Sequence, residues 1–188
     1  MNIIPTKFQE VLLLEPTVFG DDRGFFFESY SEKLYKENGI ELNFVQDNHS
    51  LSQKSGTIRG MHYQLEPKAQ TKLVRATRGA IYDVVVDIRK GSPTYGEWEG
   101  FILTADNKRQ LLVPQGFAHG FCTLVENTEV QYKVDQVYSP VHDCGISWND
   151  PSIGIVWPVS NPILSEKDKH HPILELVENN FEWEGIKI

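Results

Sequence analysis

The chain has 188 residues, of which 40% are hydrophobic and 23% are charged, and its net charge is −8. This balance fits one globular domain over residues 1–188 and speaks against a dedicated nucleic-acid binder or a basic membrane-surface protein. No apolar run is long enough to cross a bilayer. Because the sequence shows no secretory signal and contains only two cysteines, Cys122 and Cys144, we expect a cytoplasmic location.

Apolar residues recur mostly with a period of two, and turns rich in glycine and proline separate the runs. The predicted strands are residues 11–19, 25–30, 44–49, 58–65, 71–77, 80–88, 97–103, 110–113, 117–125 and 130–138. Helix is predicted at 32–38, with Ser31 as N-cap, and in 166–178, where Pro172 interrupts it. The order predicts an all-β jelly-roll sandwich or barrel with a few short peripheral helices.

Positive charge is concentrated in one part of this acidic chain. Residues 54–78 contain six lysines and arginines against the single acid Glu66, so the segment carries a charge of +5. One interpretation is the solvated face of one or two strands. The other is a site for an anionic small molecule, and it stays open because His62 lies in the same segment.

His62 and His119 lie in strand-like segments, where a histidine is most often a structural residue. His119 follows Pro114 and Gly116 with the spacing of the second motif of cupin jelly rolls, whose histidine often binds a metal. The first cupin motif would place a second histidine at position 64, where this chain has Gln64. The remaining ligand set of His62, Glu66 and His119 makes metal binding the weaker alternative.

Acid–base chemistry is the other use of such a pocket. Proton transfer beside a carbonyl needs a base, a cation for the enolate oxygen, and an acid. His62 suits the base, Lys72 the cation, and Tyr132 or Tyr138, which share one face of the predicted strand 130–138, suits the acid. The alternatives are an edge-strand lysine that discourages aggregation and two core tyrosines.

Carboxylates near these histidines have two interpretations as well. Asp83 and Asp87 alternate with apolar residues, so at least one is expected to be buried and paired, and an Asp83–His119 pair would satisfy both groups. Asp168 follows Ser165 at the spacing of a helix capping box, and it could instead orient a catalytic imidazole.

Several motifs occur in one order along most of the chain. They are QDNHS at 46–50, IRGMHYQ at 58–64, AQTKLVR at 69–75, DVVVDIR at 83–89, SPTYG at 92–96, GFAHGF at 116–121, YK at 132–133, WNDP at 148–151 and LSEKD at 164–168. From about residue 5 to residue 172 the chain closely resembles the dTDP-4-dehydrorhamnose 3,5-epimerases, a family of metal-free cupins.

The resemblance implies a homodimer without cofactor or metal that epimerises dTDP-4-dehydro-6-deoxyglucose at carbons 3 and 5. It implies that His62 is the base, Asp168 its orienting partner, Lys72 the enolate-stabilising cation and Tyr132 the opposite-face acid. It makes His119 with Asp83 a second dyad near the sugar. The substrate-binding positions that it implies are Arg23, Glu28, Gln46, Asp47, Asn48, Arg59, Lys72, His119, Tyr138, Asp143 and Lys167.

Within this set, Arg23 and Arg59 match diphosphate partners, and Tyr138 matches an aromatic beside the thymine. Asp143 stands where the family usually has a glutamate, so the side chain expected to contact the substrate at this position is shorter. The resemblance also implies that the N-terminal segment pairs with the other subunit. The alternatives are a relative that acts at carbon 3 only or on another dTDP-keto sugar, a metal-binding cupin, and a silent sugar-nucleotide binding module.

Overall fold

A computed structural model describes residues 1–185 and contains mostly antiparallel strands. Within these residues the strands are β1 (Asn2–Ile4), β2 (Leu12–Glu15), β3 (Phe19–Asp21), β4 (Gly24–Phe26), β5 (Gln46–Ser52), β6 (Ile58–Gln64), β7 (Lys72–Arg78), β8 (Ala80–Asp87), β9 (Trp98–Thr104), β10 (Gln110–Val113), β11 (Phe117–Thr123), β12 (Thr128–Val134) and β13 (Asp143–Gly145). The helices are α1 (Glu32–Glu37) and α2 (Glu166–Lys169), and a 3-10 turn covers Leu174–Leu176.

Two sheets form the body of the jelly roll. The larger has the order β1-β2-β10-β7-β12-β5, and the smaller has the order β13-β6-β11-β8-β9. The hairpin β3-β4 lies outside both sheets, whereas β1 pairs with β2 of the same chain. The non-consecutive strand order brings motifs that are distant in sequence onto neighbouring strands.

The main hydrophobic core lies between the two sheets because alternate side chains of each strand face inward. Both sheets contribute to it, through Val74, Val113 and Val130 from one and Val85, Leu103 and Phe121 from the other. The outer faces are covered as well. Tyr35 of α1 packs against the larger sheet, and Leu174 and Phe181 pack against the smaller.

Most predicted strands are present, and three predicted segments differ most from the observed strands. The segment 11–19 divides into β2 and the start of β3 around Pro16, and 25–30 retains only the short strand β4. The prediction that Tyr138 continues the inward face of β12 is wrong. The strand ends at Val134, and Tyr138 lies in the following loop with 56% of its surface exposed.

The C-terminal region follows the prediction. Ser165 caps α2, the chain leaves helical geometry before Pro172, and the 3-10 turn follows it. Of the helices in residues 1–185, none is long and apolar enough to span a bilayer.

Candidate active site

A cavity of about 390 Å³ lies between the two sheets. Strands β6 and β11 supply one wall, strands β5, β7 and β12 supply the opposite wall, and the segment that leads into α2 closes one side. The cavity is lined by Ser50, Thr57, Ile58, Arg59, His62, Lys72, His119, Phe121, Tyr132, Ile163, Leu164, Ser165, Lys167 and Asp168.

His62 and Asp168 form a tight pair at the cavity wall. The Nε2 atom of His62 lies 2.5 Å from Oδ1 of Asp168, whose side chain is only 5% exposed. Burial lowers the pKa of His62, and the carboxylate opposes that shift without reversing it. Because Nε2 faces Asp168, the other ring nitrogen, Nδ1, is left for the substrate.

The capping interpretation of Asp168 is correct for its backbone only. Ser165 Oγ accepts a hydrogen bond from the Asp168 amide at 3.1 Å, while the carboxylate binds His62. Burial by itself would raise the pKa of Asp168, but the neighbouring imidazoles of His171 and His62 hold it below its usual range. The carboxylate is therefore ionised and able to fix the His62 tautomer.

Lys72 projects into the cavity from the opposite sheet. Strand β7 lies between β10 and β12, so the edge-strand interpretation of Lys72 is wrong. The residue is buried, and its Nζ donates to the backbone carbonyl of His62 at 3.3 Å. Burial lowers the pKa of Lys72 to about 8, while the nearby carboxylates of Asp143 and Asp83 oppose the shift. At neutral pH the ammonium therefore stays mostly charged.

Tyr132 lines the same cavity from β12. Burial raises the pKa of its phenol, although the positive charge of Arg59 acts in the opposite direction. The phenol is therefore protonated at neutral pH and able to donate a proton. Its position on the larger sheet places it across the cavity from His62 on the smaller sheet.

A second imidazole–carboxylate pair lies beside the first. His119 Nε2 is 2.6 Å from Oδ1 of the fully buried Asp83, as the sequence predicted. Among the residues that the structure describes, the other oxygen of Asp83 has no hydrogen-bond partner. The pair presents an oriented imidazole to the cavity, and His119 lies directly opposite His62 in the ladder between β11 and β6.

Three of the predicted substrate contacts form a cluster near the cavity. Tyr138 donates from its hydroxyl to Asp143 at 2.8 Å, and Lys167 pairs with the same carboxylate. Asp143 thus reaches both neighbours in spite of its short side chain. Arg59 is held by Ser52 Oγ at 3.1 Å and remains exposed, so its guanidinium is available to an anion.

The remaining predicted nucleotide contacts divide into two groups. Gln46 and Asn48 lie on the same side of β5 as Ser50, which lines the cavity. The cavity of this single chain does not include Arg23, Glu28 or Asp47. Arg23 pairs with Asp21 in the hairpin, and Asp47 pairs with Lys133.

The structure also changes the set of potential metal ligands. Glu66 is exposed in the turn after β6 and does not line the cavity, so His62, Glu66 and His119 are not assembled into one site. His171 was not among the predicted residues, and its ring packs edge-to-face against His62 with centroids 5.5 Å apart. No local motif indicates a functional role for His171, because it lies between His170 and Pro172 where the sequence predicts the end of a helix.

Comparison with known proteins assigns the family. Residues 5–175 match the family described as dTDP-4-dehydrorhamnose 3,5-epimerase. A dTDP-4-dehydrorhamnose 3,5-epimerase of Shigella flexneri is 57% identical over 169 residues, which are 89% of this chain and 93% of the relative. The chain belongs to the dTDP-4-dehydrorhamnose 3,5-epimerase family. It is accordingly an epimerase.

Solved structures of this epimerase family share the fold. A Bacillus anthracis enzyme with TDP and pyrophosphate bound is 59% identical with a TM-score of 0.90, covering 92% of this chain and 98% of its own. A Legionella pneumophila enzyme in complex with dTDP-4-keto-L-rhamnose is 45% identical with a TM-score of 0.90, covering 94% of each chain. The predicted cupin-type jelly roll is confirmed.

Proposed function

We propose that this epimerase converts dTDP-4-dehydro-6-deoxy-D-glucose to dTDP-4-dehydro-L-rhamnose by inverting carbons 3 and 5. The observation that carries the proposal is the convergence of four groups in one cavity. His62 of the smaller sheet is paired with Asp168 of α2, and Lys72 and Tyr132 project into the cavity from the larger sheet. The relatives whose names include this activity support the choice of substrate.

His62 is the base in this proposal. Its neutral imidazole donates Nε2–H to Asp168 and accepts the carbon-bound proton at Nδ1. The electron pair of the broken C–H bond becomes the C=C bond of an enolate, and the 4-keto oxygen takes up the negative charge. Lowering of the His62 pKa by burial keeps the ring in its accepting form at neutral pH.

Lys72 stabilises the developing charge on the 4-keto oxygen. Its ammonium is buried, so the interaction with an oxyanion is stronger than it would be in water. The hydrogen bond from Nζ to the His62 carbonyl fixes the position of the cation relative to the base before substrate arrives.

Tyr132 returns a proton to the opposite face of the same carbon. Inversion requires an acid and a base on different faces, and these two side chains come from different sheets. The phenol loses its proton to carbon, His62 releases the proton that it took to solvent, and solvent reprotonates the phenolate. No electrons are gained or lost overall, so the reaction needs no redox cofactor.

We further propose a homodimer in which the hairpin β3-β4 of a second copy reaches this cavity. Phe19, Phe25 and Phe26 expose 62%, 61% and 67% of their surfaces, which is unusual for phenylalanine. The hairpin carries Arg23, and Glu28 follows it, so pairing supplies two nucleotide contacts that the single-chain cavity lacks. Sedimentation as a monomer would contradict this arrangement.

The remaining contacts complete a nucleotide site in a cytoplasmic enzyme. We assign the diphosphate to Arg59 and the hairpin arginine, and the thymidine to Gln46, Asn48 and Tyr138. Asp47, Asp143 and Lys167 act at the edge of the site, and His119 with Asp83 contacts the sugar. The free cysteines fit the reducing cytoplasm.

Proton NMR of the substrate in deuterated water with purified enzyme tests the proposal. We expect deuterium at both carbon 3 and carbon 5, together with the L-rhamnose configuration in the product. Exchange and inversion at carbon 3 alone would instead assign a 3-epimerase.

A further inference from the structure

A third donor group stands beside the His62–Asp168 pair. One ligand atom from each of His62, Asp168 and His171 lies within 4.8 Å of the other two. His62 Nε2 is 2.5 Å and His171 Nε2 is 3.6 Å from the same Asp168 oxygen. The three donors come from β6, α2 and the segment after α2, so the fold and not a local motif brings them together.

His171 holds an unpaired nitrogen toward this group. Its side chain is only 10% exposed, and Nε2 has no hydrogen-bond partner within residues 1–185. The distance of 3.6 Å to Asp168 is too long for a hydrogen bond. The ring fits only because position 145 is glycine, since a Cβ on Gly145 would lie 2.5 Å from the ring's Cε1 and Nε2 atoms. Gly145 is paired with His62 across β13 and β6.

We propose that His62, Asp168 and His171 form a binding site for a divalent transition metal ion such as Zn²⁺, and that the bound ion switches the epimerase off. Two imidazole nitrogens and one carboxylate oxygen are the donors that Zn²⁺ prefers. Bonds of about 2.0–2.2 Å require donor atoms roughly 3.3 Å apart. The His62–Asp168 contact of 2.5 Å must therefore open, and the His171–Asp168 distance of 3.6 Å must close slightly, for the ion to enter between the three donors. A fourth position remains for water.

The inhibitory effect follows from the proton on His62, and this step depends on the proposed role of His62 as base. A metal ion takes the lone pair of Nε2, so the single proton of the neutral ring moves to Nδ1. Nδ1 then has no lone pair with which to accept a proton from carbon. The ion also occupies the Asp168 oxygen that orients the ring.

Cobalt(II), which is a spectroscopic substitute for Zn²⁺, tests the site independently of turnover. We expect wild-type protein to bind Co²⁺ with visible d–d absorption, and His171→Asn to weaken that binding by at least about tenfold. His170→Asn is the matched control, because its exposed imidazole bonds to the Glu166 carbonyl outside the group. Circular dichroism checks that each variant is folded. Equal Co²⁺ affinity in His171→Asn and wild type would overturn the proposal.

A measurement on wild-type protein covers the case in which His171→Asn does not fold. Electron paramagnetic resonance of bound Cu²⁺ should show two coordinated imidazole nitrogens, and fewer than two would overturn the site. Zn²⁺ should abolish deuterium exchange into the substrate, with recovery on adding a chelator. Metal binding without inhibition would contradict the proposed inhibitory effect of the ion. An absence of epimerase activity in the metal-free enzyme would instead contradict the proposed function.

Discussion

His62 and His119 lie directly opposite each other on adjacent antiparallel strands, and each imidazole binds its own aspartate. The two pairs differ in exposure, because 32% of the His62 side chain is accessible but only 8% of the His119 side chain. The accessible ring is the one suited to approach a carbon-bound proton. The enclosed ring is suited to hold the sugar.

This difference predicts unequal effects of replacing the two aspartates. Asp168→Asn should lower kcat by about 10³-fold or more with little change in KM, because an amide next to Nε2 favours the wrong His62 tautomer. Asp83→Asn should mainly raise KM. Steady-state kinetics on both variants decides the matter, and equal losses of kcat would contradict the division between base and binding pair.

Replacement of the base should stop proton exchange. We expect His62→Ala to lower deuterium incorporation at carbons 3 and 5 by about 10²–10⁴-fold, because the variant lacks the proposed base. His49→Ala is the matched control, since His49 is exposed and pairs with Glu129 outside the cavity. Exchange that persists in His62→Ala would show that a different base acts.

Removal of the phenol should separate exchange from inversion. In Tyr132→Phe we expect epimerisation to fall by about 10²-fold or more while some deuterium incorporation remains, because abstraction by His62 does not need the acid. Tyr95→Phe serves as the control for loss of a hydroxyl, because Tyr95 is 40% exposed and lies outside the cavity. Parallel loss of exchange and inversion in Tyr132→Phe would argue against separate base and acid.

The pH profile should report the buried ammonium. Lys72 must be protonated to stabilise the enolate, so kcat/KM should fall as pH rises through about 8. On the acid side of the profile, the fall in kcat/KM should occur at a lower pH than an ordinary histidine would give, because burial lowers the pKa of His62. Assays with a chelator keep metal binding out of the profile.

A variant assigns the alkaline limb to its residue. In Lys72→Arg the limb near pH 8 should disappear, since a guanidinium stays protonated over the whole range, although the maximal rate should be lower. An unchanged alkaline limb in Lys72→Arg would assign it to a different group.

The exposed arginine should act in binding and not in chemistry. Arg59→Ala is expected to raise KM about tenfold or more with a smaller change in kcat, because its contact to a diphosphate is equal in ground and transition states. Arg78→Ala removes a charge from an exposed strand end outside the cavity and is the control. A loss confined to kcat would place Arg59 among the catalytic groups.

Local chemistry explains why much of the fold could be read from the sequence. A period of two identifies strands and their inward faces, so the burial of Lys72 and the pairing of Asp83 with His119 could be predicted. The ends of the strands were harder to predict. Tyr138 continues the alternation of β12 in sequence, yet the chain turns away after Val134, where Asp135 accepts a hydrogen bond from the Thr71 amide.

The sequence by itself determined the types of reacting group, the strand order along the chain and the resemblance carried by its motifs. Only the tertiary structure decided which groups meet. Asp168 reaches His62 across 106 residues, and His171 joins them because Gly145 leaves room for its ring. Periodicity fixes the face on which a side chain lies, whereas contact between distant segments depends on how sheets and loops pack together.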